Sequence, residues 1–160
     1  MIGGMDDYYP LVKTLHIISA AILFGTGLGT AFFMFCSKFA PNLHEKYFAV
    51  RTAVLADWLF TAPAVVIQPL TGAFMVYFGA LRPDALWLQA TYGLYLLAGV
   101  CWIPVVWIQI RMRNMLAAAL KDNTPLPPAY DKLFRVWFWL GWPAFGGLVV
   151  VFFLMVMKPV

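Results

Sequence analysis

Four long stretches of this chain carry no charged side chain: residues 14–37, 58–81, 85–110 and 136–157. Each exceeds the roughly 20 residues that a helix needs to cross the hydrocarbon of a bilayer. Lipid offers the backbone no hydrogen bonds, so each stretch must close its own N–H and C=O groups as a helix. A transmembrane barrel would instead show segments of about ten residues with alternating polarity, and none is visible. With 63% hydrophobic and 11% charged residues, and a mean hydropathy of +0.81, an ordinary water-soluble domain is excluded. The expected fold is all-α: a polytopic integral membrane four-helix bundle, one domain over 1–160, with spans near 11–37, 55–81, 85–112 and 134–157.

The basic residues divide between the two ends of such a bundle. Lys13, Arg82 and Lys158 fall on one side; Lys38, Lys46, Arg51, Arg111, Arg113, Lys121, Lys132 and Arg135 fall on the other. By the positive-inside rule the second side is cytoplasmic, which puts both termini outside a bacterial inner membrane in a multi-pass arrangement. The net charge of +4 then describes an inner face that meets anionic lipid, and no nucleic-acid site is expected. The leader MIGGMDDYYP holds two acids and no base, the reverse of a signal peptide's first region, so the first span is expected to be permanent.

Between the spans, a short interfacial helix is expected after Pro41, with Asn42 as its cap. The Arg82-Pro83-Asp84 turn is short enough to make spans two and three antiparallel neighbours. Span three should run on through RMRNMLAAALK, which is rich in helix formers, until Asn123 and the following prolines stop it. Pro63, Pro69, Pro104 and Pro143 lie inside spans; each frees a carbonyl and bends its helix, which also suits the lining of a pocket. Cys36 and Cys101 read as small buried residues at different depths. Gly25 and Gly29 form a GxxxG, extended by Ala21, of the kind that lets a second helix approach closely. That row suggests a homodimer or larger assembly, or alternatively a surface for a flat ligand. Its GTGLG core has the wrong spacing for a dinucleotide fingerprint.

His16 is the most informative residue. It lies about 9 Å inward from Pro10 at 1.5 Å per residue, and an ionisable group inside a span is a functional-site hypothesis by default. Two readings stay open: a haem or proton-carrying imidazole, or a neutral histidine bonded across helices to Gln89 or Tyr92. In the haem reading the iron is five-coordinate, takes a weak sixth ligand from Met75, Met155 or Met157, or is shared by a pair of chains, and Lys13, Arg82 and Lys158 meet propionates. Trp87 and Trp102 would line the cleft. Asp57 is expected to pair with Arg51 or Arg135 at the inner boundary, with proton uptake as its functional alternative. Gln68, with Thr61 and Thr71, either bonds a ligand or joins helices. A proton or small-solute conduit through His16, Gln68 and Asp57 is the third class of function.

The Lys13-Thr14-Leu15-His16 start, the LHIISAAILFGTGLGTAFFMF run and the VFFLMVMKP ending resemble, over essentially the whole chain, a bacterial family described as predicted integral membrane protein of unknown function. More distantly, the same landmarks resemble the HemJ-type protoporphyrinogen oxidases and CopD-like membrane domains. That resemblance implies haem b with His16 as its axial iron ligand and Lys13 beside it. The leading expectation is thus a haem-binding redox protein, and the alternative is a non-enzymatic scaffold or accessory subunit.

Overall fold

The computed structural model describes residues 8–79 and 81–159. Helix α1 is Tyr9–Ser37, with Pro10 at its start, where a missing N–H costs nothing. A turn leads to α2, Leu43–Ala56, and Asn42 caps it as the sequence suggested: the Glu45 N–H donates to Asn42 Oδ1 at 2.9 Å and the Asn42 amide donates back to Glu45 at 2.8 Å. This helix is not a separate interfacial piece. It passes through a π-helical turn, Asp57–Thr61, straight into α3, Ala62–Phe78, so that Leu43–Phe78 is one rod of 36 residues. The cause is local: Pro63 has no N–H for the carbonyl one turn back. The ladder accommodates it with one extra residue, and the Ala62 N–H reaches five back to Asp57 O.

Helix α4 runs Leu86–Asp122, well past the apolar stretch as expected, and ends at Asn123 with a left-handed φ of 51°. Helix α5 is Ala129–Met157. Four helical rods are thus long and apolar enough to cross a membrane, and the protein is a multi-pass, all-helical membrane protein.

The rods pair as α1 with α3 and α4 with α5. Spans two and three are consecutive, yet α3 and α4 meet only weakly, contrary to the expectation from their short turn. A tight turn fixes only the ends of two helices; α3 finds its partners on α1 instead. The pairs join firmly at the end of the bundle where α2 packs between α1 and α4. Met34, Val50, Met112 and Leu116 are fully buried there, beside Tyr130, Phe134 and Trp137.

At the opposite end Tyr9 crowds Gly79, where an added Cβ would lie 2.7 Å from the tyrosine ring, and Lys158 Nζ stands 6.0 Å from the Trp87 ring. Farther in, Phe24 of α1 stacks on Phe145 of α5 at 4.8 Å. The Tyr95 hydroxyl donates to Val65 O at 2.7 Å, linking α4 to α3. Between the pairs remains a cavity of about 380 Å³. Gly27, Gly99 and Gly141, one each from α1, α4 and α5, line it, and a Cβ on any of them would meet nothing within 4 Å. None of the four in-span prolines lines it.

Because the cluster around Met112 holds the two pairs together, Met112→Ala should lower stability by about 2–5 kcal/mol through the hole it leaves. Ile103→Ala, at a position 67% exposed towards lipid, should change it by less than about 0.5 kcal/mol. Denaturant unfolding in mixed micelles, followed by circular dichroism, checks the contrast.

Candidate functional site

His16 faces α3. Its Nδ1 lies 2.8 Å from Thr71 Oγ1, and its Nε2 lies 3.2 Å from Gln68 Nε2. The Thr71 hydroxyl has one proton, directed to Ile67 O at 2.7 Å. It must therefore accept from His16, which assigns the imidazole as the Nδ1–H tautomer. Nε2 is then a lone pair that accepts from the Gln68 amide. Gln68 Oε1 in turn accepts from the Ser19 hydroxyl, which also lies 3.0 Å from His16 O. Ser19 and Thr71 are buried, and a Cβ at Gly72 would come within 3.4 Å of His16 Cε1, so the ring lies against a glycine. Both ring nitrogens, both hydroxyls and Gln68 Oε1 thus have partners.

Each element of this arrangement has a sequence cause. His16 and Ser19 are three apart on α1, as Gln68 and Thr71 are on α3, so each pair shares one helix face. Gly72 supplies the room for the ring. Chemically the cluster is a neutral, closed hydrogen-bond chain between two helices.

The other expected site residues are not gathered here. Gln89 and Tyr92 are exposed on α4, whose inward face at that level is Trp87, Leu88 and Thr91. The imidazole takes Gln68 and Thr71 in their place, because α1 packs on α3. Met75 is partly buried one turn beyond Thr71, Met157 is exposed, and Lys13 is exposed on α1. Arg82 pairs with Asp84 at 2.7 Å, both exposed, and the guanidinium holds that carboxyl below its usual range. Lys158 stands over Trp87, and of the two cleft tryptophans only Trp102 lines the cavity.

Two further expectations are corrected. Asp57 pairs with neither Arg51 nor Arg135: it is 3% exposed and its Oδ1 accepts from Thr61 Oγ1 at 2.8 Å. Both arginines are exposed, and Arg82–Asp84 is the one ion pair among the described residues. Cys36 is exposed, while Cys101 is buried. The Ala21, Gly25, Gly29 row takes no helix of this chain: a Cβ on Gly25 or Gly29 would meet nothing within 4 Å.

Thr71→Val, which leaves Nδ1–H without an acceptor, should destabilise the protein by about 1 kcal/mol, within the range for interhelical bonds in membranes. Ser19→Ala and Gln68→Leu should be coupled by a similar amount in a double-mutant cycle of unfolding free energies. A coupling near zero would remove the cluster's role in joining the helices.

Residues 10–159 match a protein family described as predicted integral membrane protein (DUF2269). No curated protein and no solved structure matches the chain.

Proposed function

The chain belongs to that family, and from this premise we propose that it is a non-enzymatic scaffold or accessory subunit of a bacterial inner membrane. In this reading His16 is the interhelical hydrogen-bond residue that fixes α1 to α3, both termini lie outside, and the face with eight Lys and Arg is cytoplasmic. The observation that carries it is that α3 engages both imidazole nitrogens.

Haem b, implied by the HemJ resemblance, asks for an imidazole nitrogen turned to open space and for flat room beside it. His16 as folded meets Gln68 and Gly72 instead, and Gln89, Tyr92 and Lys158 stand apart from it, so the residues do not fit the group. One feature favours haem as a second reading. Thr71 holds Nδ1 as an outer-sphere partner holds a metal-ligating histidine, and the longer 3.2 Å contact is the one at Nε2.

The visible spectrum of detergent-purified protein, oxidised and dithionite-reduced, decides between the two. The scaffold reading expects no Soret band in folded wild type, even after expression with added haem precursor, and a lower unfolding midpoint for His16→Ala. A Soret band with reduced α and β bands that His16→Ala abolishes would establish the haem reading instead.

A scaffold needs a contact surface. We assign it to the unoccupied Ala21, Gly25, Gly29 row, which suits close helix approach by a second copy. Gly25→Leu with Gly29→Leu should convert a dimer into a monomer by light scattering in detergent. An unchanged mass would remove that row as the interface.

A further inference from the structure

The cavity between the two helix pairs ends in a polar floor that the His16 cluster does not touch. Asp57 and Gln109 are 3% and 2% exposed, and both line the cavity. One Asp57 oxygen accepts from Thr61, and Thr30 and Gln109 line the same floor. Gln109 Oε1 is a buried acceptor with no donor. Native proteins rarely leave such an atom unpaired without a reason.

The floor also lacks a positive charge. No Lys, Arg or His lines the cavity. The cations nearest in sequence are committed elsewhere: Arg111 lies 5.2 Å from the Trp107 ring, and Arg51, Arg113 and Arg135 lie outside the lining. A buried carboxylate without a counter-charge is costly, and so is a buried acceptor without a donor. Above the floor the walls are aromatic, with Tyr95, Trp102, Trp137, Phe138 and Trp142 among them. Two wall residues, Leu28 and Trp142, are 52% and 62% exposed on the lipid-facing surface, so the cavity is open to entry from the bilayer.

We propose that this cavity is a binding site for a lipophilic protonated amine, its ammonium group held by Asp57 and Gln109. Such a cation supplies what the floor lacks: charge opposite Asp57 and an N–H for Gln109 Oε1. Its apolar body fills the space that Gly27, Gly99 and Gly141 leave open, and aromatic faces favour a cation beside them. A volume of about 380 Å³ suits a small organic molecule, since such pockets run from about 300 to 1,000 Å³. A neutral alcohol brings the donor without the charge, and a quaternary ammonium brings the charge without the donor. The π-helical turn that Pro63 imposes carries both Asp57 and Thr61, and both line the cavity.

The test is equilibrium dialysis at pH 7 of the full chain in phosphatidylcholine nanodiscs, with empty discs as the blank. The probes are N,N-dimethyl-(2-naphthyl)methylamine, its N-trimethyl quaternary analogue and neutral 2-naphthylmethanol. Saturable binding of the tertiary amine is expected, with both cations weakened roughly tenfold or more by Asp57→Asn, the scale of a hydrogen-bonded charge. Gln109→Leu should weaken the tertiary amine and spare the quaternary one, a difference that general loss of structure would not produce. Gly99→Leu, which projects into open space, should abolish binding while helicity and melting stay unchanged. His16→Ala should leave binding intact, so this proposal and the scaffold reading fail separately. Alcohol binding as tight as amine binding, unsaturable uptake of the amine, or full binding by Asp57→Asn would overturn it. If Asp57→Asn does not fold, full tertiary-amine binding by Gln109→Leu or Gly99→Leu overturns it equally.

Discussion

Inside a bilayer one helix gains little by burying apolar surface on another, because lipid tails are as apolar as leucine. Pairing therefore falls to close backbone approach and to polar side chains that have nowhere else to go. In this chain the clasp of His16 and Ser19 on Gln68 and Thr71 meets that condition, with Gly72 admitting the ring. Binding α3 to α1 frees α3 from α4, its neighbour in sequence. Gly147 approaches Leu94 O on the other side, where an added Cβ would lie 3.6 Å away, and helps bring α5 onto α4. The gap between the two pairs follows from these two choices.

The end that carries α2 obeys a different rule. Here the helices extend beyond the apolar stretches, and a dense cluster around Met34, Met112 and Leu116 excludes both water and lipid. Three cations at this end rest on aromatic rings rather than on acids. Lys38 lies over Phe134 at 5.6 Å, Lys46 over Tyr130 at 5.7 Å and Arg111 over Trp107 at 5.2 Å. Their apolar stems cover the rim while the charged ends stay near headgroups. That placement explains why Asp57 pairs with neither Arg51 nor Arg135: the acid is buried and both bases are exposed.

How much of this could be read from the sequence follows the range of each interaction. Span number, the Asn42 cap and the stop at Asn123 are local, set by a few consecutive residues, and they were legible. The joining of α2 to α3 was hinted at by Pro63, whose missing N–H is offset by one extra residue in the preceding turn. What His16 touches depends on which helices pair, and helix pairing is not periodic in a single sequence. The i, i+3 spacing of Gln68 and Thr71 was a visible signal for a polar stripe on one helix face. It carried no information about which helix that stripe would meet, and depth alone pointed to Gln89 and Tyr92.

The two buried polar clusters differ in a way that bears on what each can do. Around His16, both ring nitrogens, the Ser19 and Thr71 hydroxyls and Gln68 Oε1 all have partners. A closed set of this kind resists change, since any entering group must displace a bond already made. Around Asp57 the count does not close: Thr61 supplies a donor, yet Gln109 Oε1 is left over and the carboxylate lacks a counter-charge. Low dielectric magnifies both situations, strengthening a complete network and penalising an incomplete one. The glycines then matter for where the imbalance sits. Gly72 uses its missing side chain to seat the His16 ring, whereas Gly27, Gly99 and Gly141 leave theirs as empty volume beside an unpaired acceptor. Within one small bundle, the same chemistry of buried amide, hydroxyl and small residue therefore yields a joint in one place and a vacancy of defined polarity in the other.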